Sequence, residues 1–185
     1  AQVARRILDA QGLTDVPVEL IGGRLTDYYD PRKRVLRLSA DVYHGSSVAS
    51  IGVAAHEAGH AIQHAYGYVP LSIRNAIVPV VNFSSQAAFI FIFLGLFLGG
   101  ATLLLDIGIY LFAAVVLFQL ITLPVEFNAS SRAVELLAGG GYVTRDEEGH
   151  VRKVLSAAAL TYVASAAAAI AQLLRLLMLR DRRRN

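Results

Sequence analysis

The chain has 185 residues, enough for a domain with a core of its own, and 55% of them are hydrophobic. It contains no cysteine, which excludes disulfides and thiolate metal sites, so a metal centre would have to use His and carboxylate ligands. The net charge of +3 is modest and the basic residues flank an apolar middle region, which favours a membrane over nucleic acid as a partner.

The N-terminal region predicts a helix followed by a small sheet. Apolar residues recur at helical spacing over residues 2–11. Apolar patterns predict strands over 16–21 and 35–38, and the pair Asp30-Pro31 between them predicts a turn. We expect the sheet to be antiparallel. An edge strand beside the next helix either holds an extended substrate by strand addition or simply packs there.

The helix predicted over residues 46–66 carries the motif H-E-x-x-H. His56 and His60 are four residues apart, so they share one helical face and can offer two imidazole nitrogens to one zinc ion. Glu57 lies close enough to act as general base on a zinc-bound water. The alternative is a core helix whose histidines only fill space, but a buried Glu beside them would be costly without a compensating charge.

His64 continues the same helical face but cannot complete the site. It lies about 12 Å from His56 along the helix axis, at about 1.5 Å per residue, and bonds of about 2.1 Å cannot span that distance. The longer pattern H-E-x-x-H-x-x-G-x-x-H also fails, because Gln63 and Tyr66 occupy its last two defined positions. His64 therefore supports the metal ligands from outside, faces the substrate, or is structural.

Residues 76–125 predict a transmembrane helical hairpin. The stretch 87–105 carries no charge, and after Asp106 a second uncharged stretch runs from 107 to 125. Each stretch is long enough, or nearly so, to cross a hydrocarbon core about 30 Å thick. We expect the turn between Gly99 and Asp106. The alternative is buried helices of a soluble core, which two such stretches in tandem disfavour.

The return helix is expected to kink at Pro124 and to continue to the glycines at 139–141, because the helical pattern persists beyond the apolar stretch. Glu126, on the first turn beyond the membrane, is the predicted third zinc ligand. Glu135 competes, but Arg132 three residues earlier suggests a surface ion pair. With the two histidines, Glu126 would form a His₂Glu site that leaves a fourth position open for water.

The last third contains an apolar, Ala-rich segment over residues 154–179, after a polar, loop-like stretch over 142–152. We expect a third span there, the alternative being a helix packed under the catalytic domain. A basic tail follows as a solvated flank or a lipid-headgroup anchor. Tyr162 is a candidate oxyanion donor, because such sites need a group beyond zinc to hold the developing charge, or else a packed helix tyrosine.

Four parts are expected along the chain. Residues 1–75 form the N-terminal part of the catalytic domain, with the small sheet and the motif helix. The hairpin occupies 76–125, and the Glu-ligand helix with its loop occupies 126–153. Residues 154–185 form the C-terminal apolar helix and the basic tail.

Four stretches together resemble the YugP-type membrane zinc metallopeptidases, over nearly the whole chain. They are residues 25–31, 53–63, 122–130 and 155–164. The resemblance implies an integral-membrane hydrolase of the gluzincin type, in a family that usually has a membrane helix before the residues seen here.

The HtpX-like membrane proteases are more distantly similar, and in them Ala-Asp follows the ligand Glu. Here Ser130 follows Ala129, so the carboxylate expected to orient a ligand histidine is absent and another group must do so. His64, Asn128, Ser130 and Tyr162 are the candidates for supporting or oxyanion roles.

We therefore expect a mainly α integral membrane protein with a small β-element, a zincin-like motif helix and a transmembrane hairpin. It would be a zinc metalloendopeptidase with one Zn²⁺ per chain and Glu57 as general base. The alternative is a non-catalytic membrane scaffold or chaperone with a vestigial metal site, which would need no base. Expected partners are a peptide or membrane-protein substrate and the lipid bilayer, with an oligomer or a membrane partner left open and no nucleic acid.

Basic residues near the apolar segments predict the orientation of a multi-pass protein in the cell membrane. The basic residues nearest the spans lie on the side of the predicted zinc site, and they are Arg74, Arg132, Arg145, Arg152 and Lys153. The hairpin turn carries only Asp106. Since Lys and Arg stay preferentially on the cytoplasmic side, the site should face the cytoplasm. If residues 154–179 also span, the basic tail lies outside, contrary to the same rule.

Overall fold

The computed structural model describes residues 1–98 and 102–184, the last two without their side chains. Most of the chain is helical, and three short strands form a small sheet, which confirms the predicted mainly α protein with a small β-element. The elements are α1 (Gln2–Ala10), β1 (Val18–Ile21), β2 (Tyr28–Asp30), β3 (Val35–Ser39), α2 (Ala40–Tyr43), α3 (Val48–Ala65), α4 (Val69–Phe97), α5 (Thr102–Gly139) and α6 (Arg145–Arg184).

The chain divides into two compact units. The first unit comprises Ala1–Leu71 and Val125–Leu160, and the second comprises Ser72–Pro124 and Thr161–Asn185. Helices α5 and α6 each contribute to both units.

The sheet of the first unit has the strand order β1-β3-β2, with β1 parallel and β2 antiparallel to β3. The prediction of an antiparallel sheet is therefore wrong for β1, and β2 was not predicted as a strand. Three residues are too few to show an alternating pattern, and the turn signal beside β2 dominates the local sequence. That turn itself is confirmed: the Asp30 side chain accepts hydrogen bonds from the Arg32 and Lys33 N–H groups between β2 and β3.

Helix α3 begins where the sequence predicts. Ser47 caps it, accepting a hydrogen bond on its hydroxyl from the Ser50 N–H at 3.1 Å. Six other elements contribute buried side chains to one core with α3. Its fully buried members include Leu8, Leu36, Ile62, Leu137 and Val151, each at most 1% exposed. Burying each such side chain stabilises the fold by about 1.5–3 kcal/mol, so this core fixes α3 against α5.

Helix α5 continues through Pro124 to Gly139, as predicted. It ends at the predicted glycines, because Gly141 adopts a φ of 65° and the Tyr142 N–H bonds back to the Leu137 carbonyl at 3.0 Å. This extension brings Glu126 into the first unit.

The predicted loop before the last helix is shorter than expected, because α6 already begins at Arg145. Thr144 and Glu147 form a capping box: the Thr144 N–H donates to the Glu147 carboxylate at 2.8 Å, and the Glu147 N–H approaches the Thr144 hydroxyl at 3.3 Å. The spacing Thr-x-x-Glu is the sequence signal for this start.

The second unit consists of apolar helix segments. Helices α4, α5 and α6 are each long and apolar enough to cross a membrane. Residues 99–101 of the predicted hairpin turn lie outside the described residues, and 102–106 already belong to α5, so Asp106 is helical and not a turn residue. Within this unit Arg180 Nε lies 3.9 Å from Asp106 Oδ1. The C-terminal end of α6 therefore lies beside the beginning of α5.

Candidate metal centre

Three side chains of the first unit converge on one point. His56 and His60 come from α3 and Glu126 from α5, and one ligand atom of each lies within 4.8 Å of the other two. Glu126 Oε2 is 3.2 Å from His56 Nε2 and 3.6 Å from His60 Nε2. Among the described residues, no other group of three His, Cys, Asp or Glu side chains converges in this way.

These donors fit a zinc ion. Glu126 is 3% exposed and His60 is 7% exposed, and a carboxylate buried to this degree is costly unless a cation compensates it. Imidazole nitrogen and carboxylate oxygen are both ordinary zinc ligands, at about 2.0–2.2 Å. The two imidazole rings stand edge to face at an angle of 85°, so their nitrogens approach the carboxylate from different directions.

Close packing of the two helices places Glu126 beside the histidines. A Cβ atom added to Gly59 on α3 would lie 2.9 Å from the backbone oxygen of Ala129 on α5. Only glycine permits the two backbones to approach this closely.

Ser130 lies at the other nitrogen of His56. Its hydroxyl oxygen is 3.1 Å from His56 Nδ1, on the ring edge opposite the nitrogen that faces Glu126. The hydroxyl can accept the Nδ1 proton and orient the ring.

Gln63 lies at the corresponding nitrogen of His60, and the sequence did not identify it. Its Oε1 is 2.9 Å from His60 Nδ1, and its side chain is completely buried. It also donates to the Val125 carbonyl and to Asn128 Oδ1. The available signal was its position three residues after His60, which puts both side chains on one helical face.

Glu57 does not converge with the three donors but points to the edge strand β2. Its Oε2 accepts a hydrogen bond from the Tyr29 N–H at 3.1 Å. The pKa of the Glu57 carboxyl is raised to about 7. Burial is the largest cause and the carboxylates of Glu126 and Asp27 add to it, while His56 and the Tyr29 N–H oppose the shift.

The remaining candidates are not among the three converging donors. His64 is exposed, and its Nδ1 is 2.9 Å from the Tyr29 hydroxyl, a contact typical of a structural role. Tyr162 lies on α6 in the second unit and is 36% exposed. Glu135 is exposed on α5 and is not among the converging donors, and Arg132 donates instead to Asn128 Oδ1 at 2.9 Å.

Comparison with known proteins agrees with the resemblance drawn from the four stretches. The family described as "Putative neutral zinc metallopeptidase" matches residues 1–181. The protein described as "Putative membrane protease YugP" from Bacillus subtilis (strain 168) is 56% identical over 179 residues, which cover 97% of this chain and 79% of that relative. No solved structure matches the chain.

Proposed function

We infer the function from the family to which the chain belongs, which is described as "Putative neutral zinc metallopeptidase". We propose that it hydrolyses peptide bonds as a membrane-embedded, zinc-dependent endopeptidase, with α3 as a zincin-like helix. The observation that carries this proposal is the convergence of His56, His60 and Glu126 within 4.8 Å of one another.

Those three residues would hold one zinc ion per chain. When bound, zinc supplies a Lewis acid that polarises a peptide carbonyl and lowers the pKa of a water. Three protein ligands leave a coordination position open, as in catalytic sites, whereas structural sites use four. This difference favours an enzyme over a scaffold with a vestigial site.

Glu57 is the proposed general base. Its carboxylate takes a proton from the attacking water and passes it to the amine that leaves. The Tyr29 N–H holds one carboxylate oxygen, at 3.1 Å, which limits the rotation of the side chain. Ser130 orients His56 from behind, and Tyr162 stays a prediction as the oxyanion donor.

A peptide or membrane-protein segment is the proposed substrate. Strand β2 is at the edge of the sheet, and the Tyr29 N–H is directed to Glu57 and not to β3. An extended peptide added at this edge would run beside Glu57 and the metal ligands.

The proposed location is the cell membrane, crossed by α4, α5 and α6, with the metal centre on the cytoplasmic side. The length and apolar composition of the three helices support the spans. Arg and Lys residues near the spans cluster on the side where the metal centre is expected. Because such residues prefer the cytoplasmic side, they support the proposed orientation.

The proposal is tested by metal analysis coupled to proteolysis. The purified protein in detergent is assayed for zinc and incubated with a panel of membrane proteins, before and after treatment with a chelator. We expect about one zinc per chain, cleavage that the chelator abolishes, and recovery on addition of zinc. Cleavage that persists after complete metal removal would contradict the proposal.

A further inference from the structure

We infer that Gln63, Asn128 and Arg132 form a directional hydrogen-bond chain that keeps the proton of His60 on Nδ1, so that Nε2 is free for a metal. The inference rests on the proposed metal site and assigns positioning roles to Gln63 and Arg132. None of the three touches the reacting atoms.

The hydrogen-bond chain has two ends at which the donor and the acceptor are unambiguous. Arg132 Nε lies 2.9 Å from Asn128 Oδ1, and a guanidinium can only donate, so Asn128 must present its oxygen there. The Val125 carbonyl can only accept, and it lies 2.8 Å from Gln63 Nε2. The same Gln63 nitrogen lies 2.9 Å from Asn128 Oδ1.

These two acceptors fix the orientation of the Gln63 amide. Its NH₂ group supplies one proton to Val125 and one to Asn128, which uses both of its donors. The reversed amide would set Gln63 Oε1 against two acceptor oxygens. Since Gln63 is completely buried, water cannot relieve that mismatch, and the reversed orientation is disfavoured.

The orientation of Gln63 in turn determines the tautomer of His60. Gln63 Oε1 lies 2.9 Å from His60 Nδ1, and an amide oxygen can only accept, so Nδ1 must carry the proton. The unprotonated Nε2 is then the nitrogen that faces Glu126. A histidine ligates a metal through an unprotonated nitrogen, so the chain prepares His60 for binding.

Gln63 also ties the ligand Glu126 to the site helix. Its two acceptors, Val125 and Asn128, are on α5 and flank Glu126 in sequence, whereas Gln63 and His60 are on α3. One buried amide therefore sets both the tautomer of one ligand and the position of the turn that bears another. Removing such outer partners typically lowers metal affinity by about 10–100-fold.

The test uses three variants of the full chain in detergent. Gln63→Met removes the acceptor at similar size, and Asn128→Leu removes the acceptor that orients Gln63. Asn128→Asp is the matched control, because its carboxylate still accepts from both Arg132 and Gln63. Zinc affinity is measured by competition with a chromophoric chelator. In ¹⁵N-histidine-labelled, zinc-loaded protein, NMR measures exchange of the His60 Nδ1 proton with solvent.

We expect slow exchange in the wild-type protein and in Asn128→Asp. Gln63→Met and Asn128→Leu should exchange faster and bind zinc about 10–100-fold more weakly. Exchange and affinity unchanged in both of these variants would overturn the inference, as would a wild-type protein that binds zinc through His60 Nδ1. If Gln63→Met does not fold, the comparison of Asn128→Leu with Asn128→Asp tests the inference alone.

The outcome separates this inference from the proposed function. Zinc binding with the expected exchange pattern but without peptide hydrolysis would contradict the proposed function and support the hydrogen-bond chain. Suppose instead that the protein hydrolyses peptides and that the exchange of the His60 Nδ1 proton does not change in the Gln63 and Asn128 variants. That result would overturn the hydrogen-bond chain and support the proposed function. Absence of zinc binding by the wild-type protein would overturn both.

Discussion

The Ser130 hydroxyl lies 3.1 Å from His56 Nδ1, and His56 Nε2 lies 3.2 Å from Glu126 on the other side of the ring. A neutral hydroxyl thus contacts the imidazole nitrogen that faces away from Glu126. A hydroxyl accepts a weaker hydrogen bond than a carboxylate does, so Ser130 should hold the imidazole less strongly than a carboxylate at this position would.

This contact gives a first prediction. Ser130→Ala should weaken zinc binding by about 10-fold, and Ser130→Asp should restore or exceed the wild-type affinity, because the carboxylate accepts a stronger hydrogen bond. Ser131→Ala, an exposed neighbour on the same helix, is the matched control and should have no effect. Zinc affinities from chelator competition decide the order of the four proteins. Equal affinity in Ser130→Ala and the wild type would remove Ser130 from the site.

The third ligand is tested by a pair of carboxylates on α5. Glu126→Ala should reduce zinc binding more than the loss of a residue that only hydrogen-bonds to a ligand. We expect a reduction of more than about 10–100-fold, because the variant deletes a donor and leaves two histidines. Glu135→Ala should leave zinc content unchanged, because Glu135 is exposed and outside the converging group. If zinc content instead follows Glu135, the assignment of the ligand to the first turn after Pro124 is wrong.

The packing of α3 against α5 is tested by two glycines of the same helix. Alanine at Gly59 would meet the Ala129 backbone oxygen at 2.9 Å, and overpacking costs about 1–3 kcal/mol, against a gain of about 1 kcal/mol in helix propensity. Alanine at Gly52 would meet only side chains at ordinary contact distance, Val151 at 3.5 Å and Leu155 at 4.0 Å. We therefore expect Gly59→Ala to lower the apparent Tm and the zinc affinity.

Gly52→Ala is the control and should leave zinc affinity unchanged, with an equal or higher Tm. Thermal scans in detergent and chelator competition measure both quantities. Equal Tm and affinity in the two variants would mean that α3 and α5 do not need the close contact at Gly59.

The membrane topology is tested with introduced cysteines, since the chain has none of its own. Asp106 is a poor labelling position, because it is helical and its side chain lies near Arg180. Leu103 is 70% exposed at the beginning of α5, and Asp146 is exposed at the beginning of α6. We expect an impermeant thiol reagent added to intact cells to label Leu103→Cys and not Asp146→Cys.

Arg182→Cys extends this assay to the C-terminal end of α6. The approach of Arg180 to Asp106 sets that end beside the beginning of α5, so Arg182→Cys should react like Leu103→Cys. Labelling of Asp146→Cys alone would reverse the topology and set the metal centre outside the cell.

The converging donors were predictable because each depends on local sequence. The spacing of His56 and His60 fixes a shared helical face, and Glu126 follows an apolar stretch whose helical pattern continues. The pairing of β1 with β3 was not predictable, because a parallel pair depends on the path of the chain between the strands and not on the pattern of either strand.

Gln63 was missed for a similar reason. A buried glutamine has no fixed meaning until its partners are known, and two of these, Val125 and Asn128, are more than sixty residues away in sequence. The start of α6 at Arg145 was also missed, but for a different reason. Its signal, Thr144-x-x-Glu147, is local and was present in the sequence.

The proposed role of Glu57 in zinc-dependent hydrolysis is tested by the variant Glu57→Gln, assayed for zinc content and peptide hydrolysis in the same sample. Gln keeps the shape and can still accept the Tyr29 N–H, but it cannot take a proton from water. We expect about one zinc per chain, an unchanged fold, and hydrolysis reduced by about 10²–10⁴-fold. Hydrolysis at the wild-type rate in a zinc-loaded Glu57→Gln protein would contradict the role of Glu57 as general base.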